Sequence, residues 1–327
     1  LDRDIDLNYR HAFHAGSFAD VFKHAVLCRI LHYLREKPAP FRVIDTHAGA
    51  GIYDLTSAEA NRGGEWHDGI ERLLAAKADG RLPEPVVELL TPYLDVIGAL
   101  NAPGKLTAYP GSPALTRAWL RADDRLVACE LEPHAAIALS RHLRADSRIK
   151  TIEIDGWTAL QAHVPPPERR GLVLVDPPFE EVADFHRLSH MLGLAHRKWA
   201  TGIYALWYPI KGRGETEELA KRLRRSGIAK ILRAELTVSP VSDPTRLNGS
   251  GLILVNPPWT LEAELAVLLP VLSRLLERQP NGGGYTLDWL SGEAAGEAKV
   301  KTKVQAKVPA KVFAKAKAKS KSKSKTK

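Results

Sequence analysis

The chain has 327 residues, 44% of them apolar, which is room for one large α/β domain or two smaller ones around a buried core. Two cysteines, Cys28 and Cys129, exclude a disulfide framework and fit a reducing cytoplasm, and no apolar run approaches the length of a membrane span. The net charge of +9 is carried by 12 lysines between Lys299 and Lys327; without them 35 basic residues face 38 acidic ones, a body of net charge −3.

The start, Leu1-Asp-Arg-Asp-Ile-Asp6, is too acidic and too poor in apolar residues for a signal peptide. The stretch from Asn8 to Leu34 predicts a loop and then a helix, with Val21, Phe22, Val26, Leu27, Ile30, Leu31 and Leu34 at helical spacing and Pro38 ending it. Residues 1–40 therefore read as an N-terminal motif and a helix. Phe41 to Asp45 is a buried strand running into the loop Gly49-Ala-Gly51. A polar, helical region, about residues 57–110, reads as an insertion. Strands follow at Arg125 to Glu130, Ile149 to Ile154, Gly171 to Val175 and Gly202 to Trp207. Helices are expected between them at Pro133 to Arg144, Trp157 to His163 and Val182 to Lys198. This alternation predicts a mostly parallel sheet with helices on both faces. Beyond a helix at Glu215 to Ser226, the strands Ile228 to Val238 and Gly251 to Val255 are joined by a short loop. That connection implies an antiparallel pair. The layout is a Rossmann-like, class I methyltransferase fold over residues 41–290.

The tail, residues 291–327, is low-complexity and self-repelling, and disorder is expected there. It can hold RNA by counterion release or serve as a solubilising extension. On the body, Arg169, Arg170, Arg197, Lys198 and the basic residues Lys221 to Arg225 are either a local nucleic-acid patch or solvated helix faces.

In open parallel sheets ligands lie at the carboxyl ends of the strands. Four such ends carry Asp45 with His47, Glu130, Asp155 with Gly156, and Asp176. Gly49 and Gly51 allow backbone to approach a cofactor. Glu130 can accept ribose hydroxyls and Asp155 an adenine amine. A dinucleotide site is disfavoured because the loop lacks the third glycine and its acid about 20 residues on, and no phosphate-binding Gly-Lys-Ser/Thr follows. Asp176-Pro-Pro-Phe179 points to the acceptor. The Asp176 carboxylate and the Pro177 carbonyl can take both N–H groups of an adenine amine, and Phe179 can stack on the base. As positive charge leaves sulfur and appears on nitrogen, the carboxylate stabilises the transition state more than the ground state. A near-copy, Asn256-Pro-Pro-Trp259, should end on the far side of the sheet and be structural. Near the N-terminus, His11-Ala-Phe-His14 has the spacing of a two-histidine metal site but no evident third ligand. The other readings are solvated loop histidines, or a segment folded over cofactor and base.

Tyr9-Arg-His-Ala-Phe-His-Ala-Gly16, Asp20-Val-Phe-Lys-His24, Asp45-Thr-His-Ala-Gly-Ala-Gly51, Tyr109-Pro-Gly-Ser-Pro113, Asp176 to Phe179 and Ala200 to Pro209 together resemble the RlmJ-type bacterial enzymes. These methylate N6 of one adenine in 23S rRNA. The resemblance covers about Asn8 to Trp289. It implies S-adenosylmethionine as cofactor, held by His24, His47, Ser112, Glu130, Asp155 and Gly156, and Asp176 as the catalytic acceptor. It also implies that Tyr9, His11 and Lys23 help build the active site; for want of a third ligand no metal is expected. Phe179 stands where this family often has Tyr, and the lysine tail is not part of its core. The expected substrate is 23S rRNA, protein-free or early in assembly, and the expected enzyme a cytoplasmic monomer. The alternatives are a DNA adenine methyltransferase, less favoured because no target-recognition domain is visible, and a non-catalytic RNA-binding scaffold.

Overall fold

The computed structural model describes residues 10–292; Tyr9 and the lysine tail lie outside them. A single 3-10 turn, His11–Phe13, leads into α1 (Phe18–Glu36), whose first turn is capped by the Ser17 hydroxyl accepting from the Asp20 N–H. β1 (Arg42–Asp45) follows. Then come β2 (Ile52–Asp54), α2 (Ala58–Gly63), a π turn (His67–Glu71), α3 (Arg72–Ala78), α4 (Glu84–Leu100) and β3 (Ala108–Pro110). The alternating part comprises α5 (Ser112–Trp119), β4 (Arg125–Glu130), α6 (Pro133–Leu143), β5 (Ile149–Glu153), α7 (Gly156–His163), β6 (Gly171–Val175), α8 (Ala183–Lys198) and β7 (Ile203–Ile210). The described residues end with α9 (Gly214–Arg224), β8 (Ile231–Thr237), β9 (Gly249–Val255), α10 (Leu261–Leu275) and β10 (Gly284–Ser291).

One sheet holds eight strands in the order β10-β8-β9-β7-β6-β1-β4-β5. The five strands from β7 to β5 are mutually parallel, and β9, β8 and β10 are each antiparallel to their neighbours. The parallel strands read as unbroken apolar runs because both faces are covered. In β6, Leu172 and Leu174 join the core beneath α1, α4, α5 and α10, while Val173 and Val175 join the core beneath α7, α8 and α9. The order reverses at β1, which lies between β4 and β6. A crevice at the carboxyl ends of those strands is where such a sheet takes its ligand.

Two features depart from the sequence expectation. The helical region after β1 is pinned by a short antiparallel pair, β2 with β3, so its last residues are strand rather than helix. Its helices share one core with α1 and α10 through Ile70, Leu73, Leu90 and Tyr93. The edge strand β10 was not anticipated. The second Pro-Pro motif behaves as expected. β9 runs antiparallel to β7, and Asn256 at its end donates both side-chain hydrogens to the Ala200 and Gly202 carbonyls, each at 2.8 Å, in the turn that precedes β7. That is the end of the sheet opposite Asp176.

Candidate active site

The site is built from the first residues after β1, β4, β5 and β6. Beyond β1 the chain turns across its neighbours: Thr46 N donates to Leu174 O at 3.0 Å and Ala48 N to Cys129 O at 2.8 Å. Gly49 (φ +62°) and Gly51 (φ +82°) then reverse it in the left-handed region that favours glycine. At Gly49 a side chain is also excluded by space, since a Cβ there would lie 2.0 Å from the Tyr53 hydroxyl oxygen. The Gly49 N–H donates to Glu130 Oε2 at 2.7 Å, which ties the loop to the end of β4.

Asp45 is 0% exposed. Its Oδ2 accepts from the Ser112 hydroxyl at 2.6 Å, and its Oδ1 has no hydrogen-bond partner. Burial pushes the carboxyl up to about 7; the Ser112 bond opposes this, the nearby Asp176 charge adds to it, and Lys23 and the His47 amide pull it down. The His47 amide forms no bond of good geometry to Oδ1. A buried carboxylate oxygen without a partner is costly unless a ligand supplies one.

His47 is half-buried, with Nδ1 bonded to the Thr46 hydroxyl at 2.8 Å and its ring edge-on to Trp157 at 5.4 Å. Burial lowers its pKa to about 4, against the Asp176 and Asp155 charges that raise it. Asp155 caps α7 through Oδ2, which accepts from the Thr158 N–H and hydroxyl, and this leaves Oδ1 open. Gly156 must be glycine for contact reasons: a Cβ would lie 2.4 Å from Thr46 O and 2.5 Å from His47 Nε2. Glu130 is more committed than expected. Its Oε1 takes the Leu131 and Glu132 N–H groups, so the capacity left for a ribose hydroxyl is on Oε2, beside the Gly49 bond.

Asp176 follows β6, level with Trp207 of β7, one register step past the Val175–Leu206 pair. The Asp176 side chain is 15% exposed, and its Oδ2 is held by the Lys23 ammonium of α1. Among the described residues no bond engages its Oδ1. Lys23 also reaches Asp20 Oδ1 at 3.0 Å, and its ammonium lies over the Trp207 ring, 5.9 Å from the centroid. His11 Nε2 meets Asp20 Oδ2 at 3.0 Å.

The structure thus gathers His11, Lys23, His47, Ser112, Glu130, Asp155, Gly156 and Asp176 around the β1 loop. Two residues sit differently from the sequence picture. His24 is fully buried, its Nδ1 bonded to the Tyr109 hydroxyl at 2.8 Å, and burial takes its pKa to about 3; it backs the site. Phe179 adopts φ +51° and is 7% exposed, packed against Phe185 and edge-on to Trp207, so stacking on a base requires this loop to open. Pro177 is buried beside it. His11 and His14 face different carboxylates, Asp20 and Glu65, and no cluster of three or more metal-ligating side chains occurs among the described residues. Sequence reasoning missed Trp207 and Asp20, although both lie inside motifs it quoted.

The sequence model of the family described as "Ribosomal RNA large subunit methyltransferase D, RlmJ" matches residues 38–291. The chain belongs to the RlmJ family. It is 42% identical over 285 residues to the Ribosomal RNA large subunit methyltransferase J of Escherichia coli K12, covering 87% of this chain and 99% of that protein. The corresponding protein of Haemophilus influenzae is 41% identical over 290 residues, covering 88% and 100%. A Legionella pneumophila protein of known crystal structure superimposes with a TM-score of 0.77 at 34% identity, over 85% of this chain and 98% of that one. The RlmJ family and the class I fold make S-adenosylmethionine the cofactor, and the residues fit it. The unpartnered Asp45 Oδ1 suits an ammonium, Glu130 Oε2 a ribose hydroxyl, and Asp155 Oδ1 an adenine amine. Among the described residues no helix is long and apolar enough to cross a membrane.

Proposed function

We propose that this chain methylates N6 of one adenine in 23S rRNA. The observation that carries the reading is Asp176, a partly exposed carboxylate at the end of β6, one oxygen fixed by Lys23 and the other open beside the cofactor loop. The bound cofactor supplies an electrophilic methyl group on a sulfonium. The amine of adenine is a poor nucleophile because its lone pair is conjugated with the ring. Asp176 Oδ1 and the Pro177 carbonyl would accept its two N–H bonds and aim the lone pair. As the N–C bond forms and the S–C bond breaks, positive charge moves onto nitrogen, where the carboxylate stabilises it. The proton then leaves to Asp176 or to water. Trp207, half-buried beside Asp176, offers a ring for the extruded base; Tyr9, whose motif suggested a part in the active site, lies outside the described residues.

The reading extends to protein-free or early-assembly 23S rRNA as substrate, a monomer as the working form, and the cytoplasm. The test is methyl transfer from labelled cofactor to protein-free 23S rRNA and to duplex DNA, with the modified base mapped. We expect label on one rRNA adenine as N6-methyladenine and none on DNA. Asp176→Ala should abolish turnover and leave cofactor binding intact. Label on DNA would support the DNA alternative, and a wild type as inactive as the variant would support a scaffold.

A further inference from the structure

Asp20 is 1% exposed and sits one helical turn before Lys23 and His24, so the three share one face of α1. Its Oδ1 meets the Lys23 ammonium at 3.0 Å, and its Oδ2 takes both His11 Nε2 at 3.0 Å and the Gly16 N–H at 2.9 Å. Lys23 continues to Asp176 Oδ2. A chain of contacts therefore runs His11–Asp20–Lys23–Asp176, joining the N-terminal turn to the end of β6, its last link spanning the 153 residues from Lys23 to Asp176.

We propose that Asp20 is a positioning residue for methyl transfer. Its carboxylate fixes the Lys23 ammonium on one oxygen of Asp176, and the His11 ring beside it, so that the other oxygen of Asp176 is the one presented to the target amine. The inference rests on the function proposed above. A lysine has a long stem and four rotatable bonds. Against a single carboxylate its ammonium can bridge either oxygen or swing away, and either motion blocks or misaligns the acceptor. A second buried carboxylate on the opposite side removes that freedom. One ammonium lies between two carboxylates, and the His11 ring meets the far oxygen of Asp20.

The electrostatics agree. Burial works against the charge on Lys23, but Asp176 and Asp20 more than offset it, and the amine titrates above the ordinary lysine range. Burial likewise opposes ionisation of Asp20, and His11, Lys23 and His24 pull it well below the usual carboxylate range. The other groups facing this chain are His14 from the N-terminal turn, Asp45 from β1, and the Tyr93 and Tyr109 hydroxyls, which burial keeps protonated.

Asp20→Asn keeps the shape and removes the charge. A misplacement on the order of 1 Å at a reacting group costs about 10²-fold, so kcat on 23S rRNA should fall by about that factor. The KM for RNA and the cofactor Kd should stay within about threefold. Lysine labelled with 15N at the ζ position gives a readout independent of activity. The Lys23 signal, assigned through Lys23→Arg, should remain that of an ammonium throughout the titration of the wild type. In Asp20→Asn it should titrate at least about one pH unit earlier. A wild-type Lys23 that titrates near the free-lysine value of about 10.4 overturns the proposal without any variant. So does a variant with wild-type kcat, or one whose lost kcat is matched by equal losses of cofactor affinity and melting temperature. If the wild type fails to methylate 23S rRNA while Asp20→Asn still releases Lys23, the function proposed above fails and the clamp stands.

Discussion

Replacing Ser112 by Ala should destabilise the protein in a pH-dependent way, because Ser112 serves a buried acid of unusual pKa. Its hydroxyl donates at 2.6 Å to Asp45 Oδ2, the one bond of good geometry on that carboxyl among the described residues. Asp45 titrates at about 7 in the folded chain, against an ordinary value of 3.8. The folded state therefore binds the proton more tightly, and stability falls as pH rises from about 4 to about 7, where the cost becomes complete. A hydrogen bond to a charged group contributes about 1.5–3 kcal/mol and one between neutral groups about 0.5–1.5. The variant should lose roughly 1 kcal/mol at about pH 5.5, where Asp45 is neutral, and roughly 2 at about pH 8.5, where it is ionised. The difference of about 1 kcal/mol corresponds to a further rise of roughly 0.7 unit in the Asp45 pKa. Urea denaturation of both proteins at the two pH values measures this. Equal losses at both, or a larger loss on the acid side, would refute the assignment of Asp45 as a strained, Ser112-supported carboxylate.

Two further expectations concern packing. Gly156→Ala places a methyl 2.4 Å from Thr46 O and 2.5 Å from His47 Nε2. It should cost about 1–3 kcal/mol of stability and weaken cofactor binding at least about tenfold by calorimetry, since the displaced residues form the pocket. Asn256→Gly keeps the left-handed backbone comfortable and removes only the two bonds to the Ala200 and Gly202 carbonyls. It should cost about 1–3 kcal/mol in a melting experiment with the rate at saturating substrates unchanged, and a variant that melted normally but lost turnover would contradict the structural role given to this motif.

The sequence was most legible where local pattern and tertiary role coincide. β4 and β6 begin and end where their apolar runs do, because both faces of each strand are buried and an acid marks the solvent end. β10 was missed although Tyr285, Leu287 and Trp289 alternate with polar residues; it is half-buried and follows a Gly-rich stretch that masks its start. The three-residue strands β2 and β3 are too short to carry a period. The strand-end acids were legible as a set because the sheet's direction places them together. Asp20 was not, since an acid in a helix's first turn reads as a favourable dipole partner facing water. Its burial depends on His11 and Lys23 closing over it, and Lys23 in turn on Asp176, which no local window contains. Phe179 was anticipated as an open ring because its packing partners, Phe185 and Trp207, come from two later elements.

Gly171 to Phe179 and Gly251 to Trp259 are nearly the same nonapeptide, yet one finishes among acids and the other at the back of the sheet, where its amide staples a turn and Trp259 projects into solvent at 81% exposure. Polarity alone separates them. Converting Asn256 to aspartate would give the second copy the same Asp-Pro-Pro and still leave the new carboxylate facing two main-chain oxygens, at the end of the sheet away from the β1 loop. In sheets of mixed direction, a tetrapeptide search therefore has to be read together with the heading of the strand that delivers it.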